Sequence, residues 1–181
     1  DLLAGQKGAI VVLDPKDSGV LAMVSTPSYD NNLFVDGISS EDYKRLLNDP
    51  ARPLYSRATQ GVYPPASTVK PFIAVAAQTE NVISQNTTIF DPGYWVLPNT
   101  TKRFRDWKKS GHGYTDLNKA ITESSDTYFY QVAHSMGIDR LSDWMKRFGF
   151  GMPTGIEIQE EAAANMPSKE WKQKRYKKPW V

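Results

Sequence analysis

The chain opens with two aliphatic runs, residues 9–13 and 20–25, which flank a dense cluster of turn-forming residues at 14–19. β-Branched and aliphatic runs around Asp, Pro, Ser and Gly are typical of antiparallel strands joined by a turn. The pattern therefore predicts a β-hairpin. An isolated hairpin is only marginally stable in water, so this one requires further strands or a packed helix to cover its apolar face.

Helical spacing dominates the rest of the chain. Ser39 and Asp42 form a capping pattern for a short helix that ends near Asn48. Later helices are predicted where apolar residues recur every three or four positions: Val69, Phe72, Ile73 and Ala76; Leu117, Ala120 and Ile121; Tyr128, Phe129, Val132 and Met136; Leu141, Trp144, Met145 and Phe148. Residues 86–114 contain three breaker clusters and are expected to form a long loop. Residues 154–158 are interpreted as a short strand.

Composition excludes several classes of protein. The 22 Lys and Arg against 20 Asp and Glu give a net charge of +2, which offers no general attraction to nucleic acid. The absence of cysteine excludes disulfides and thiolate metal sites within this sequence. The longest apolar runs, 9–13 and 72–77, fall far short of the roughly 20 residues of a membrane helix. We expect any membrane anchor or export signal to lie outside this chain.

Ser67 and Lys70 lie three residues apart, just before Pro71. Serine needs an adjacent base to act as a nucleophile, and side chains three apart on a helix share a face. Because proline is tolerated in the first turn of a helix, Pro71 predicts that the helix begins at or near Ser67. The positive end of a helix favours developing negative charge and disfavours a protonated ammonium. The spacing alone is weak, since one S-x-x-K is expected by chance about once in such a chain.

Ser124, Ser125 and Asp126 form a second motif in a break between two predicted helices. Taken alone, the triplet is typical of a helix cap. After an S-x-x-K, it matches the second element of penicillin-recognising enzymes, which is S-x-N or a variant. Segment 61–71, GVYPPASTVKP, resembles the nucleophile segment of class B penicillin-binding proteins, most of all the penicillin-binding protein 2 group that serves cell elongation.

The resemblance extends along nearly the whole chain. Further similar segments are 8–13 with 19–27, 90–93, 106–109, 136–141 and 170–175. The resemblance implies an α/β fold of α+β type, the penicillin-recognising serine transpeptidase fold, with a helical subdomain and an antiparallel sheet. Residues 1–181 would be a partial transpeptidase domain, because the third motif of the family, K-T-G or K-S-G, does not occur in the sequence. We expect these 181 residues alone to be a poor enzyme and a poor penicillin binder.

The family resemblance also implies a reaction, which is acyl transfer without a cofactor. Ser67 would attack a peptidoglycan stem peptide ending in D-Ala-D-Ala, or a β-lactam, with Lys70 as the base. Ser124 would relay a proton toward the leaving group, and Asp126 would help to position Lys70 and substrate. The backbone N–H of Ser67 would form half of the oxyanion hole.

Two positions, Ala66 and Asp126, depart from the chemistry expected of the family. Ala66 stands where the family usually has glycine, which matters only if the backbone there needs a positive φ. A carboxylate near a lysine raises the lysine pKa and so opposes its use as a base. Either Asp126 is held away from Lys70, or the activating field comes from elsewhere, such as the third-motif lysine.

Asp91, Asp106 and His112 are candidate metal ligands. Some relatives in the family place zinc in this region, with a cysteine inside the second motif where this chain has Ser125. Because a neutral hydroxyl is a poor zinc ligand, we expect no bound metal and interpret these residues as stabilising a loop through hydrogen bonds. The basic run at 169–178 is interpreted as a solvated loop, not as a nucleic-acid site.

The leading interpretation is a D,D-transpeptidase of cell-wall elongation at the periplasmic face of the bacterial inner membrane. The resemblance implies, as partners, stem peptides, β-lactams, a SEDS-type glycan polymerase and other elongation-complex proteins. Two alternatives stay open. A serine β-lactamase would deacylate rapidly, and a β-lactam sensor or inactive scaffold would show no transpeptidation.

Overall fold

The structure, a computed structural model, describes residues 2–158 and 160–180. It combines α-helices with antiparallel two-stranded sheets, which confirms the predicted α+β class. The chain divides into two compact units. The first contains Asp1–Tyr63 and Gly155–Ala162, and the second contains Pro64–Thr154 and Ala163–Val181. No helix among the described residues is both long and apolar enough to cross a bilayer.

The first unit begins with the predicted hairpin. Strand β1, Gly8–Leu13, pairs antiparallel with β2, Val20–Thr26. In the turn, the Asp17 carboxylate accepts a hydrogen bond from the Gly19 N–H at 2.8 Å. Six aliphatic side chains of the hairpin are more than 40% exposed: Val11, Val12, Leu13, Val20, Leu21 and Val24.

Helix α1, Ser40–Asn48, follows in the same unit and begins as the capping pattern predicts. The Ser39 hydroxyl accepts from the Asp42 N–H at 3.0 Å and donates to the Asp42 carboxylate at 2.7 Å. Further along, the Arg57 N–H donates to the Ser25 hydroxyl at 2.9 Å, which ties the irregular segment after α1 to strand β2.

The second unit is built around four helices. They are α2 (Lys70–Thr79), α3 (Leu117–Thr122), α4 (Asp126–Met136) and α5 (Ile138–Arg147). Small residues on α2 and α3 allow larger side chains of α4 to pack closely against them. The buried core consists of Ala74, Ala76, Ala77, Ile83, Leu117, Ala120, Tyr128, Phe129, Val132 and Met136. The predicted face of α2 is only partly correct, because Phe72 is 38% exposed and packs edge-on against Phe148 and Phe150.

The prediction that residues 86–114 form a loop with little secondary structure is wrong. The segment contains four strands of three residues each: β3 (Ile89–Asp91), β4 (Tyr94–Val96), β5 (Arg103–Arg105) and β6 (Gly113–Thr115). β3 pairs with β6, and β4 pairs with β5, both antiparallel. Strands of three residues are too short to show an alternating pattern, and the Gly and Pro residues between them predict a loop instead. Gly111 is required here, since a Cβ would lie 2.2 Å from the Asp91 carbonyl oxygen.

Two further predictions are corrected. Residues 154–158 form no strand in the described part of the chain. The basic run expected to be a loop is largely helical, as α6, Lys169–Tyr176. Ser168 caps this helix by accepting from the Trp171 N–H at 3.1 Å. The many charged residues of α6 leave no clear apolar face from which a helix could be predicted. Ser168, directly before α6, is a typical N-cap residue and could have indicated where the helix begins.

Candidate active site

Ser67 lies in a 3₁₀ turn, Ala66–Val69, that leads directly into α2. The α-helix begins at Lys70, three residues later than predicted, and the Lys70 N–H donates to the Ser67 carbonyl. Pro71 occupies the first turn, as predicted. Ser67 is exposed, and its backbone N–H makes no hydrogen bond to another described residue. This N–H is therefore available to an incoming oxyanion.

Ala66 has a left-handed backbone conformation, with φ of +49°. An L-residue with a Cβ pays about 1–2 kcal/mol for this conformation, whereas glycine adopts it freely. The departure from the family's usual glycine is therefore not mild. The residue before Ser67 holds local backbone strain.

Lys70 is buried, and three oxygen atoms surround its ammonium group. Its Nζ lies 2.6 Å from Asp126 Oδ1, 2.8 Å from the Ser124 carbonyl oxygen and 3.1 Å from Ser124 Oγ. An ammonium group has three N–H donors, so these contacts use all of them. The Phe129 ring lies 5.7 Å from Nζ. The alternative in which Asp126 is held away from Lys70 is wrong, because the two form a direct ion pair.

Ser124 joins the lysine to the candidate nucleophile. Its Oγ lies 3.0 Å from Ser67 Oγ and 3.1 Å from Lys70 Nζ. Within the described chain no direct hydrogen bond links the side chains of Ser67 and Lys70, because the Ser124 hydroxyl lies between them. Ser124 adopts a φ of +56°, an uncommon conformation for a non-glycine residue. The structure thus brings the four predicted residues, Ser67, Lys70, Ser124 and Asp126, into one network.

The candidate metal ligands also converge, beside this network. Asp91, Asp106 and His112 are at most 5% exposed, and their possible ligand atoms lie within 4.8 Å of one another. His112 Nδ1 lies 2.7 Å from Asp91 Oδ2 and 3.7 Å from Asp106 Oδ1. Burial alone raises the pKa of Asp91, but hydrogen bonds from His112, the Gly93 N–H and Ser125 outweigh it and lower the pKa to about 2.

These side chains fit hydrogen bonding better than zinc coordination. Tetrahedral zinc with nitrogen and oxygen ligands at about 2.0–2.2 Å places neighbouring ligands about 3.3–3.6 Å apart. Asp91 Oδ2 is closer than that to both His112 Nδ1, at 2.7 Å, and Ser125 Oγ, at 2.8 Å. The Ser125 hydroxyl is neutral and also accepts from the Tyr128 N–H at 3.1 Å, as the cap of α4. The fourth position thus lacks an anionic ligand.

The nearly complete sequence match decides the family. Residues 8–178 match the family model described as the penicillin binding protein transpeptidase domain. The chain belongs to the penicillin-binding protein transpeptidase family. This membership confirms the fold and the family that the two serine motifs predict.

Members of this transpeptidase family resemble the chain closely. Peptidoglycan D,D-transpeptidase MrdA of Haemophilus influenzae is 88% identical over 181 residues, which are 100% of this chain and 28% of that protein. The chain therefore spans little more than a quarter of this curated relative. The crystal structure of Pseudomonas aeruginosa PBP2 in complex with WCK 5153 has a TM-score of 0.94 and 49% identity, and the match covers 99% of this chain and 41% of that one.

A third similar structure is a complex between PBP2 and MreC from Helicobacter pylori. It has a TM-score of 0.94 and 37% identity, over 99% of this chain and 33% of that chain. The resemblance to the penicillin-binding protein 2 group is therefore confirmed.

Three residues around the transpeptidase motifs escaped sequence analysis. Phe129 contacts Lys70 from the first turn of α4, where its spacing indicated only a core position. The Thr127 N–H donates to Asp106 at 2.9 Å, and Trp107 Nε1 donates to the Glu123 carbonyl at 3.1 Å. The Thr127 and Trp107 contacts each involve a backbone group, and the Phe129 contact depends on how α4 packs against α2, so no sequence pattern indicated any of the three.

Proposed function

We propose that this chain carries the nucleophile and proton-transfer groups of a peptidoglycan D,D-transpeptidase, with Ser67 as the acylated residue. The continuous path from Ser67 Oγ through Ser124 Oγ to Lys70 Nζ carries the proposal, with steps of 3.0 and 3.1 Å. Both steps are within the reach required for proton transfer between positioned groups. The proposed extent is a partial transpeptidase domain over residues 1–181.

In the first step, Ser67 Oγ forms a bond to the carbonyl carbon of the penultimate D-alanine. Its proton moves to Ser124 Oγ as the Ser124 proton moves to Lys70 Nζ. The oxyanion accepts a hydrogen bond from the Ser67 N–H. Collapse of the tetrahedral intermediate breaks its C–N bond, and the proton passes from Lys70 through Ser124 to the nitrogen of the leaving D-alanine. The amine of a second stem then attacks the ester carbon, the bond from that carbon to Ser67 Oγ breaks, and the proton lost by the amine passes through Ser124 to Ser67 Oγ, which restores the hydroxyl.

The three contacts of Lys70 Nζ with oxygen atoms, one of them on Asp126, hold the lysine side chain beside the Ser124 hydroxyl. Asp126 therefore acts in positioning and in stabilising the protonated lysine after transfer. Because the ion pair with Asp126 exists, we propose that any activating field comes from elsewhere, such as the third-motif lysine. This is the second of the two alternatives raised by the sequence.

The proposed partners follow from the family and the relatives. Stem peptides ending in D-Ala-D-Ala are the substrates, β-lactams are inhibitors, and the reaction needs no cofactor and no nucleic acid. We place the intact protein at the periplasmic face of the inner membrane, with a SEDS-type glycan polymerase and other elongation-complex proteins. A similar protein from Helicobacter pylori forms a complex with MreC, which supports assembly into such a complex.

The function is tested with the intact protein and a synthetic stem pentapeptide plus an acceptor amine. We expect release of D-alanine and a cross-linked product, both blocked by penicillin, together with an acyl-enzyme that persists. An acyl-enzyme that hydrolyses rapidly would indicate a β-lactamase. Acylation without any cross-linked product would indicate a sensor. Either result contradicts the proposal.

We also propose that the cluster of Asp91, Asp106 and His112 holds no stoichiometric zinc, because Ser125 supplies a neutral hydroxyl. The intact protein is incubated with zinc and then dialysed to remove unbound metal. Elemental analysis is expected to find far less than one zinc per chain. Ser125→Cys supplies a thiolate and is expected to raise the content to about one. The melting temperature of the Ser125→Cys variant should then fall when a chelator removes the zinc, while the melting temperature of the unsubstituted protein stays constant. About one zinc per unsubstituted chain, lost in His112→Ala, would overturn this prediction.

A further inference from the structure

We propose that the segment from β3 to β6 is a bracket that sets the positions of Ser124 and Asp126, with Ser125 and Asp106 as positioning residues. The bracket consists of residues 91–112, from the last residue of β3 to the residue before β6. This proposal deepens the proposed function and rests on it, because it assigns a role in the reaction to groups that touch neither substrate nor Ser67.

The bracket holds alternate residues of the second motif. Its members contact the odd-numbered positions Glu123, Ser125 and Thr127 through hydrogen bonds, and Ser125 makes a second, longer one to Asp106 Oδ2 at 3.5 Å. The bonds are Trp107 Nε1 to the Glu123 carbonyl at 3.1 Å, Ser125 Oγ to Asp91 Oδ2 at 2.8 Å, and Thr127 N to Asp106 Oδ2 at 2.9 Å. The even-numbered residues, Ser124 and Asp126, instead contact Lys70. Each catalytic side chain is thus fixed by a bracket contact on both sides of it.

The backbone at Ser124 needs such support. A serine at φ of +56° is in a strained conformation, and such conformations persist only where the surroundings determine them. Relaxation of this residue would move its Oγ away from the position between Ser67 and Lys70. The bracket contacts at Glu123 and Ser125 lie directly before and after it in the chain.

The bracket is itself rigid at the relevant points. Asp91 Oδ1 accepts from the Gly93 N–H at 2.7 Å, and the Asp106 N–H donates to the Gly93 carbonyl at 2.9 Å. Any Cβ at Gly93 would lie 2.4 Å from the Lys109 carbonyl oxygen, so the backbone at Gly93 packs directly against the backbone at Lys109. Ser125 is fully buried, and water therefore does not compete for its bond to Asp91.

Ser125→Ala in the intact protein tests the proposal through penicillin acylation of Ser67. We expect the limiting acylation rate constant at saturating penicillin to fall about tenfold or more, since small displacements of catalytic groups cost up to about a hundredfold. The dissociation constant of the non-covalent complex should change little. Trp107→Phe, at an exposed position, removes one bracket bond without threatening the fold and is expected to lower the same constant by a smaller factor.

Ser168→Ala is the matched control for the helix cap that Ser125→Ala also removes. Ser168 caps α6 with a hydrogen bond of the same length, 3.1 Å, as the Ser125 cap of α4. We expect it to lower the melting temperature while the acylation rate constant stays unchanged. If Ser125→Ala and Trp107→Phe behave like this control, the bracket is only structural and the proposal fails. If the unsubstituted protein is not acylated at all, the proposed function fails instead.

Discussion

Ser67→Ala is expected to abolish covalent labelling of the intact protein by penicillin and the release of D-alanine from a stem pentapeptide. The alanine variant has no hydroxyl to form the acyl bond. Ser124, the nearest other hydroxyl, lies behind Ser67 on the path to Lys70 and does not replace it. The measurement is gel fluorescence after incubation with a fluorescent penicillin, together with chromatographic detection of D-alanine.

The control for this experiment is Ser135→Ala. Ser135 is an exposed serine on α4, outside the Ser67 network, and alanine is a strong helix former. Its labelling should equal that of the unsubstituted protein. Labelling of Ser67→Ala at a comparable rate would show that another residue is the nucleophile.

Lys70→Ala is expected to lower the penicillin acylation rate constant by more than tenfold, and by about a hundredfold if the lysine supplies the full effect of a positioned base. The substitution removes the group that takes the Ser67 proton through Ser124, while Ser67 itself stays in place. Asp126 loses its ion-pair partner, but its side chain is partly exposed and can be hydrated. We therefore expect the fold to persist, which a circular dichroism spectrum would verify.

Lys169→Ala is the matched control, because it also removes a lysine that pairs with an aspartate, Asp139, in the same unit. Its acylation rate constant should be unchanged. Acylation of Lys70→Ala at close to the normal rate would mean that a different group accepts the proton. The proton path through Ser124 would then be incorrect.

The chemistry of the site was more predictable from sequence than its geometry. The spacing of Ser67 and Lys70 and the family resemblance predicted Ser67, Lys70, Ser124 and Asp126 as site residues, and these four side chains lie together in the structure. The insertion of Ser124 between Ser67 and Lys70 was not predictable. It depends on how α4 packs against α2, and such packing has no signature within either segment.

The fold shows the same contrast between long and short elements. The hairpin β1–β2 and helices α1 to α5 carry periodic patterns or caps long enough to be recognised. The four three-residue strands within 89–115 are too short for any period, and the pairing between them fixes their conformation. The need for a positive φ at Ala66 was raised from sequence as a condition, but only the backbone geometry could answer it.

Peptide mapping of the penicillin adduct tests the central claim most directly. The intact protein is incubated with penicillin, digested, and its peptides are analysed by mass spectrometry. We predict a single penicilloyl adduct, on the peptide that contains Ser67, with none on the peptide that contains Ser124. An adduct on Ser124, or one that persists in the Ser67→Ala variant, would contradict the assignment of Ser67 as the nucleophile.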